Sequence, residues 1–445
     1  MMEEKLPKGW EFQKIGDLSE QVNGKAFKPS DWSKKGTPII RIQNLNNFKA
    51  DFNYSEDFID EKFHVNNGDL LFAWSGTPGT SFGAHIWNRG KAYLNQHIFK
   101  IKIKNDQLDQ SYYYYALKIT VEKFIVQAQG TAGLAHITKK KFENTGIPVP
   151  PLPEQQRIVA KLDALFGHLD SLREKLDGIP VLLKNFRQQV LTQAVTGELT
   201  KDWREGKNLP EEDFIDLEDL EMREIKYEIP KFWQWLPFIS VAEVKSNLVQ
   251  PNEYLEFPLI APDNIEAGTG RLLNKPLVSE ILPKSPKHYF SKGDIVYSKI
   301  RPYLSKLVLA DFDGLCSADM YPISTTLNIK YLYYYMLSDV FLRYATTAGE
   351  RSVLPKINQK ELAIIPISIP SKKEQQEIVK RIEALFSLAD KIESQYISLK
   401  AKIDQLPQVI LAKAFRGELV EQEVKEYVVE ESEGLMAAEP DPNNL

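Results

Sequence analysis

The chain is predicted to be an α+β protein made of two similar modules, each a mixed, mostly β globular part followed by one long helix. Three observations predict this. A segment near the middle of the chain returns at its end. The repeated segments carry apolar residues at coiled-coil spacing. The stretches before them hold short apolar runs separated by glycine, asparagine and proline.

The repeat is the first of these. Glu154-Gln155-Gln156-Arg157-Ile158-Val159 reappears as Glu374-Gln375-Gln376-Glu377-Ile378-Val379, a shift of 220 residues in a chain of 445. Ala164-Leu165-Phe166 and Gly197-Glu198-Leu199 return at the same shift as Ala384-Leu385-Phe386 and Gly417-Glu418-Leu419. Solenoid repeats run at roughly 20–50 residues, so this period marks a duplicated module. Upstream, Leu6-Pro7-Lys8-Gly9-Trp10 parallels Ile229-Pro230-Lys231-Phe232-Trp233, and Gly68–Phe72 parallels Gly293–Tyr297. Tyr112–Leu117 aligns with Leu332–Leu337 at 220. Two like modules suit a ligand with two half-sites.

The helices come next. Apolar residues fall at Ile158, Leu162, Leu165, Leu169, Leu172, Leu176, Ile179, Leu183, Phe186 and Val190. The second copy has Ile378, Ile382, Leu385, Ala389, Ile392, Tyr396, Leu399, Ile403, Leu406 and Ile410. Steps of four and three alternate, the period of a coiled-coil seam. A helix of about 40 residues is about 60 Å long, and its stripe demands a partner, which the other repeat supplies. The expected interface is Ile158, Leu162, Leu165, Leu169, Leu172 and Leu176 against Ile378, Ile382, Leu385, Ile392, Leu399 and Ile403. Gly178 with Pro180, and Pro407, predict kinks or breaks, because proline removes a donor and crowds the preceding turn. Proline-rich stretches, 147–153 and 365–370, precede both helices as stiff hinges. Gly197 and Gly417 stand where a helix should stop.

The globular parts are strand-rich. Thr37–Ile42, Asp69–Trp74, His97–Ile103, Asp294–Ser298 and Lys306–Ala310 read as strands, and the tyrosine-rich runs near Tyr112 and Tyr333 as helices packed on a sheet. The expected division is 1–153 for the first module, 154–199 for the central helix and 200–228 for an acidic linker. The second module follows at 229–370, the C-terminal helix at 371–420, and an acidic tail, expected to be disordered, at 421–445.

Charge distribution sharpens the reading. The net charge is −5, but residues 201–228 carry −6 and the tail 421–445 carries −7, which leaves +8 on the rest. The modules are therefore mildly basic, which permits a polyanionic partner. No run of about 18 apolar residues predicts a membrane span. The charged N-terminus lacks a signal-peptide core, so a cytoplasmic location is expected. One cysteine, Cys316, excludes an internal disulfide and cysteine-rich metal sites; it reads as a small core residue. No metal site is expected from the six histidines, which lack zinc spacing.

Catalytic signatures are missing. There is no Gly-x-x-x-x-Gly-Lys-Ser/Thr phosphate loop, no dinucleotide fingerprint and no Asn/Asp-Pro-Pro-Tyr/Phe stretch of an amino-methyltransferase. Pro262-Asp263 lacks the Glu-x-Lys of a nuclease. No catalytic residue is assigned.

The loops instead hold side chains suited to DNA. In the first module these are Arg41, Gln43 and Asn44, with Arg41 and Gln43 expected on one face of a strand. Trp74, Ser75, Thr77 and Thr80 form a small-residue loop, joined by Gln96 in Asn95-Gln96-His97 and Thr131 in Gly130–Gly133. In the second module they are Asp263, Asn264, Ser298, Lys299, Arg301, Tyr303, Lys306, Arg351 and Lys356. Arginine, asparagine and glutamine pair with base edges; lysine, serine and threonine hold phosphates. Ordinary solvated polar loops would look the same, so the pattern counts at the level of the module. A two-domain scaffold for protein partners, and an enzyme without a visible motif, remain as other readings.

With these residues in view, the chain resembles the specificity subunits of type I restriction–modification systems along nearly its whole length. The Pro150–Val159 run, the Gly-Glu-Leu ends after Thr196 and Arg416, and the two-copy layout carry the resemblance. It implies two pseudo-symmetric α/β target recognition domains separated by two long antiparallel coiled-coil helices. Each domain would read one half of a bipartite, asymmetric double-stranded DNA sequence. The helices would set the gap and dock two adenine methyltransferase subunits, with motor and nuclease subunits joining for restriction. No cofactor is implied on this chain; S-adenosylmethionine, ATP and Mg would sit on the partners. Adding one helical turn to both helices should lengthen the gap. The second copy departs from the pattern: Ser371-Lys372-Lys373 replaces Pro151-Leu152-Pro153 ahead of the glutamate, which puts the hinge angle in doubt.

Overall fold

A computed structural model describes residues 6–78, 80–127, 135–207, 220–346 and 355–421. Residues 208–219 of the acidic linker and all but the first residue of the acidic tail lie outside them. The chain divides into two compact units, one of Met1–Glu174 with Lys400–Leu445, the other of Lys175–Leu399. Each unit is described by itself.

The first unit has a four-stranded antiparallel sheet in the order Ser19–Asn23, Ile98–Ile103, Leu70–Ala73, Gly83–Ile86. Leu70–Ala73 is buried on both faces, as an apolar run without polar alternation predicts. Its period of two splits it between two cores. Leu70 and Phe72 join the cluster that holds Tyr112, Tyr113 and Phe142; Leu71 and Ala73 join Ile40, Trp87 and Leu94. A second four-stranded sheet pairs Thr37–Ile40 in parallel with Ala92–Leu94.

The second unit repeats the plan. Its first sheet runs Ala242–Val244, Met320–Thr325, Ile295–Ser298, Leu307–Leu309. Ile295 and Tyr297 face one core and Val296 the other. Leu259–Ile260 pairs in parallel with Gly314–Cys316, the counterpart of the parallel pair above. The second sheets differ at one edge. The extra strand Asn53–Ser55 lies beside Thr37–Ile40, whereas Leu248–Val249 lies beside Lys287–Phe290 at the opposite edge. Cys316 is fully buried, and burial pushes its thiol up, so it is a core residue.

The repeated motif is a fastener. Trp10 donates from Nε1 to Glu154 Oε1 at 3.1 Å, and Trp233 donates to Glu374 Oε2 at 3.0 Å. Gln155 Nε2 donates to the carbonyls of Pro150 (2.8 Å) and Gln107 (2.9 Å), while its Oε1 accepts from Asp109 N at 2.8 Å. Gln375 does the same with Pro370 O (2.9 Å) and Asn328 N (2.8 Å). The Glu-Gln pair thus ties the first turn of each long helix to the start of its module and to a loop of that module. The third residue, Gln156 or Gln376, is exposed. Ser371 accepts from Glu374 N at 3.3 Å and caps its helix, so the departure from proline supplies a different but competent helix start.

These bonds also correct the alignment of the tyrosine helices. Tyr112 donates to Pro148 O at 2.8 Å and Tyr331 to Ser368 O at 2.7 Å. Asp109 and Asn328 hold the same place on the two glutamines. The offset in this helix is therefore 219, one less than the expected 220, because hydrogen bonds match the loop before it rather than the tyrosine run.

The central helix runs Leu152–Asp177, breaks at Gly178 and continues as Ile179–Thr196. The break matches expectation, and Pro180 is tolerated in the first turn of the new helix. Pro407 does not break the second helix, Lys372–Phe415, which is continuous through it; the lost bond is outweighed by packing of the buried Ile403 and Leu411 on either side. Gly197 takes φ +87°, and a Cβ there would lie 2.5 Å from Pro230 Cγ, so the helix stop requires glycine.

Inside each unit the two helices run antiparallel. In the first, Arg173 pairs with Asp404 at 3.7 Å, and Ile158 and Leu162 share a core with Leu411, Ala414 and Phe415. In the second, Arg187 pairs with Asp390 (2.6 Å) and Glu393 (3.0 Å), and Val190–Val195 packs with Ile378 and Ile382. One apolar row is buried along the helices, Ile158, Leu162, Leu169, Leu176, Leu183 and Val190 on one and Ile378, Ile382, Ala389 and Ile403 on the other, and further residues such as Leu191, Val195 and Leu411 are buried where the helices meet the module cores. Leu165 and Leu385 are half-buried. Leu172, Ile392 and Leu399, expected in the seam, are exposed at 45%, 41% and 46%. A pair of helices shields one row; the second lies on the flank and needs another surface to cover it.

Candidate nucleic-acid interface

The candidate residues of the second unit gather on one surface. Arg301 and Ser305 flank the short turn Pro302–Leu304, and both are in the left-handed region, at φ 47° and 45°. Each costs a non-glycine residue about 1–2 kcal/mol, a strain of the kind that concentrates at binding sites. The turn lifts Tyr303 to 52% exposure and leaves Arg301 exposed. Arg301 N donates to Pro355 O at 2.8 Å, which ties the turn to the segment carrying Lys356. Lys306 Nζ donates to Pro262 O at 2.7 Å and lies 4.0 Å from exposed Asp263. Lys299 Nζ donates to Ala318 O at 2.6 Å, and Lys356 Nζ lies 3.3 Å from Asp319 Oδ1. Asp263, Lys299, Arg301, Tyr303, Lys306 and Lys356 are thus neighbours. Arg351 lies outside the described residues.

Ser298 is not part of this surface. It is buried at 1%, and its hydroxyl donates to Ile300 O at 3.1 Å, because it ends a strand enclosed on both faces. Asn264 is half-buried and engaged by its own turn: its Oδ1 accepts from Ala261 N at 2.7 Å, and its amide donates to Asn274 Oδ1.

The first unit shows the same turn. Arg41, Gln43 and Asn44 are not on a strand, since the strand ends at Ile40 and a helical turn, Ile42–Asn46, follows. Asn44 is buried at 3%; its Oδ1 accepts from Arg41 N at 3.0 Å and its amide donates to Ala50 O and Asp51 O at 3.3 and 3.1 Å. Its polar atoms hold the turn and leave none for a base. Gln43 is exposed on the turn, and Arg41 stacks over Trp32 at 5.4 Å.

Ser75 pairs through Ser75–Gly76 with Ala135–His136. Thr77 and Thr80 are exposed; Thr77 O accepts from the amides of Thr80, Ser81 and Phe82. Trp74 is half-buried between His97 (centroids 5.3 Å) and His136 (4.9 Å, edge-on). Trp74 Nε1, Gln96 Oε1 and His97 Nδ1 have no partner among the described residues. Thr131 lies outside those residues. His136 and Asp319 are members that sequence reasoning missed; the shift of 220 from Ile357 to Ile137 places His136 opposite Lys356 and would have found it.

Among the described residues no group of three or more His, Cys, Asp or Glu side chains is arranged to hold a metal, and no helix is long and apolar enough to cross a membrane.

Comparison with known proteins follows the same division. The family model described as "Type I restriction modification DNA specificity domain" matches twice, at residues 7–180 and 240–401. The EcoDI specificity subunit of Escherichia coli is 41% identical over 427 residues, covering 94% of this chain and 90% of that protein. The EcoBI subunit of the same organism is 31% identical, with 92% and 86% covered. Two solved structures share the fold. One chain of a type I R-M system aligns at TM-score 0.66 with 17% identity, covering 93% of this chain and 99% of that one. The HsdS subunit from Thermoanaerobacter tengcongensis aligns at 0.57 with 16% identity, covering 94% and 99%. With both halves of the chain matched and such identity over nine-tenths of its length, this chain belongs to the specificity subunits of type I restriction enzymes.

Proposed function

We propose that the chain is the non-catalytic reader of its complex: each unit recognises one half of a bipartite, asymmetric double-stranded DNA target. Adenine methylation and ATP-dependent cleavage belong to partner subunits, two methyltransferases and a motor/nuclease, which carry S-adenosylmethionine, ATP and Mg. The complex acts in the cytoplasm. One observation carries the reading: the two units share the order of their first sheet and the tryptophan–glutamate fastener, yet furnish equivalent loops with unlike side chains. Like scaffolds with unlike loops suit a target whose two halves differ. The test is a genome-wide N6-methyladenine map from cells co-expressing the chain with its methyltransferase. Two short specified blocks around a fixed gap are expected. Replacing residues 1–150 with those of a relative should change one block only; a change in both would sink modular readout.

The exposed apolar row supports docking of a protein partner on the helices. Leu388, Ile392 and Leu399 share one face of a single helix and stand 41–52% exposed, a patch of the kind that marks an interface. Changing Ile392 and Leu399 to aspartate should abolish co-purification with the methyltransferase while the melting temperature of the free chain shifts little. Undiminished co-purification would assign docking elsewhere.

A further inference from the structure

Four backbone hydrogen bonds define the same tripod in both units. Trp74 N donates to His97 O at 3.3 Å, and Ile137 N donates to Trp74 O at 3.0 Å. Lys299 N donates to Asp319 O at 3.0 Å, and Ile357 N donates to Lys299 O at 2.9 Å. Trp74 is therefore the structural equivalent of Lys299, His97 of Asp319, and His136, just before Ile137, of Lys356. The flanking residues Ile137 and Ile357 are buried, at 2% and 0%, and hold the tripod to the core.

The backbone is shared and the chemistry is not. In the first unit three rings meet, with Trp74 between two imidazoles. In the second, Lys356 pairs with the Asp319 carboxylate at 3.3 Å, while the Lys299 ammonium donates to Ala318 O at 2.6 Å and lies over Tyr321 at 5.3 Å. The outer member of each tripod, His136 or Lys356, is exposed. The second tripod stands beside the strained Arg301 turn, through the bond from Arg301 N to Pro355 O.

We propose that these three equivalent positions are the specificity-determining node of each recognition unit. The proposal rests on the DNA-reading function given above. Lysine donates to guanine O6 and N7 and aspartate accepts from cytosine N4, so the second node fits a G·C pair. The first node carries no fixed charge. It offers ring surfaces for a thymine methyl and one imidazole N–H donor, so it fits an A·T pair.

The experiment maps methylation by the full complex with wild-type chain, Lys356→Ala and His136→Ala, and measures methylation rates on duplexes with single-pair changes in either half. Lys356→Ala should relax one G·C position in one half by roughly tenfold in rate discrimination, with the other half and the gap unchanged. His136→Ala should relax one position in the opposite half. Asp319→Asn, which keeps volume, is another variant of the second node and should relax the same half as Lys356→Ala. A wild-type complex that yields no split motif defeats the DNA-reading function itself. A wild-type split motif that all three assembled variants retain at full discrimination overturns the node alone, as does relaxation of both halves by one variant.

Discussion

Arg204→Ala should lower the stability of the second unit by about 3–5 kcal/mol, the usual cost of leaving one member of a buried ion pair unpaired. Glu374 is exposed by 1%, and its carboxylate accepts from Arg204 Nη1, from Thr200 Oγ1 at 2.7 Å and from Trp233 Nε1 at 3.0 Å. Arg204 also donates to Gly197 O at the helix stop. Its loss strands a carboxylate and an orphan carbonyl together. At roughly 2–4 °C per kcal/mol for a unit of this size, the calorimetric transition of that unit should fall by about 10 °C. The double change Arg204→Met with Glu374→Leu should recover only part of the loss, since it removes the stranded charge but leaves the Trp233 and Thr200 donors and the Gly197 carbonyl without these partners. A fall of 2 °C or less in the single variant would show that water, not the arginine, compensates the carboxylate.

The fastener also shows what could be read from residues alone. The recurrence of Glu154-Gln155 at Glu374-Gln375, and of Trp10 at Trp233, was visible, but their contact was not, because 144 and 141 residues separate the partners. The long helices were legible because a step of four and three has one structural meaning. Which of two alternating rows is covered has none in sequence: Leu169 and Leu172 look alike, yet one is buried at 5% and the other exposed at 45%. Arg41–Asn44 misled because a strand run and a turn share the residues between them, and asparagine serves a turn as readily as a base. The node was least legible. Trp74 and Lys299 share no chemistry, and only the bonds from Ile137 and Ile357 make them equivalent.

Inserting seven residues into each long helix should widen the unspecified gap of the DNA target by about three base pairs and leave both half-sequences intact. The chain passes between the two units at two places, after Glu174 and after Leu399, and both lie inside helices. An insertion there leaves every contact within a unit as it is. Seven residues add about 10 Å at 1.5 Å each, and stacked base pairs rise about 3.4 Å. Seven is preferred to a single turn of four because the buried row repeats at Leu162, Leu169, Leu176, Leu183 and Val190. Seven residues return the row to within about 20°, while four turn the helix about 40° past register and expose it. A four-residue insertion should therefore cost stability as well as spacing. The methylation map reads the outcome directly. A gap that stays constant after a seven-residue insertion, with methylation retained, would mean that the helices do not measure the DNA, and that a partner subunit holds the two readers at their separation.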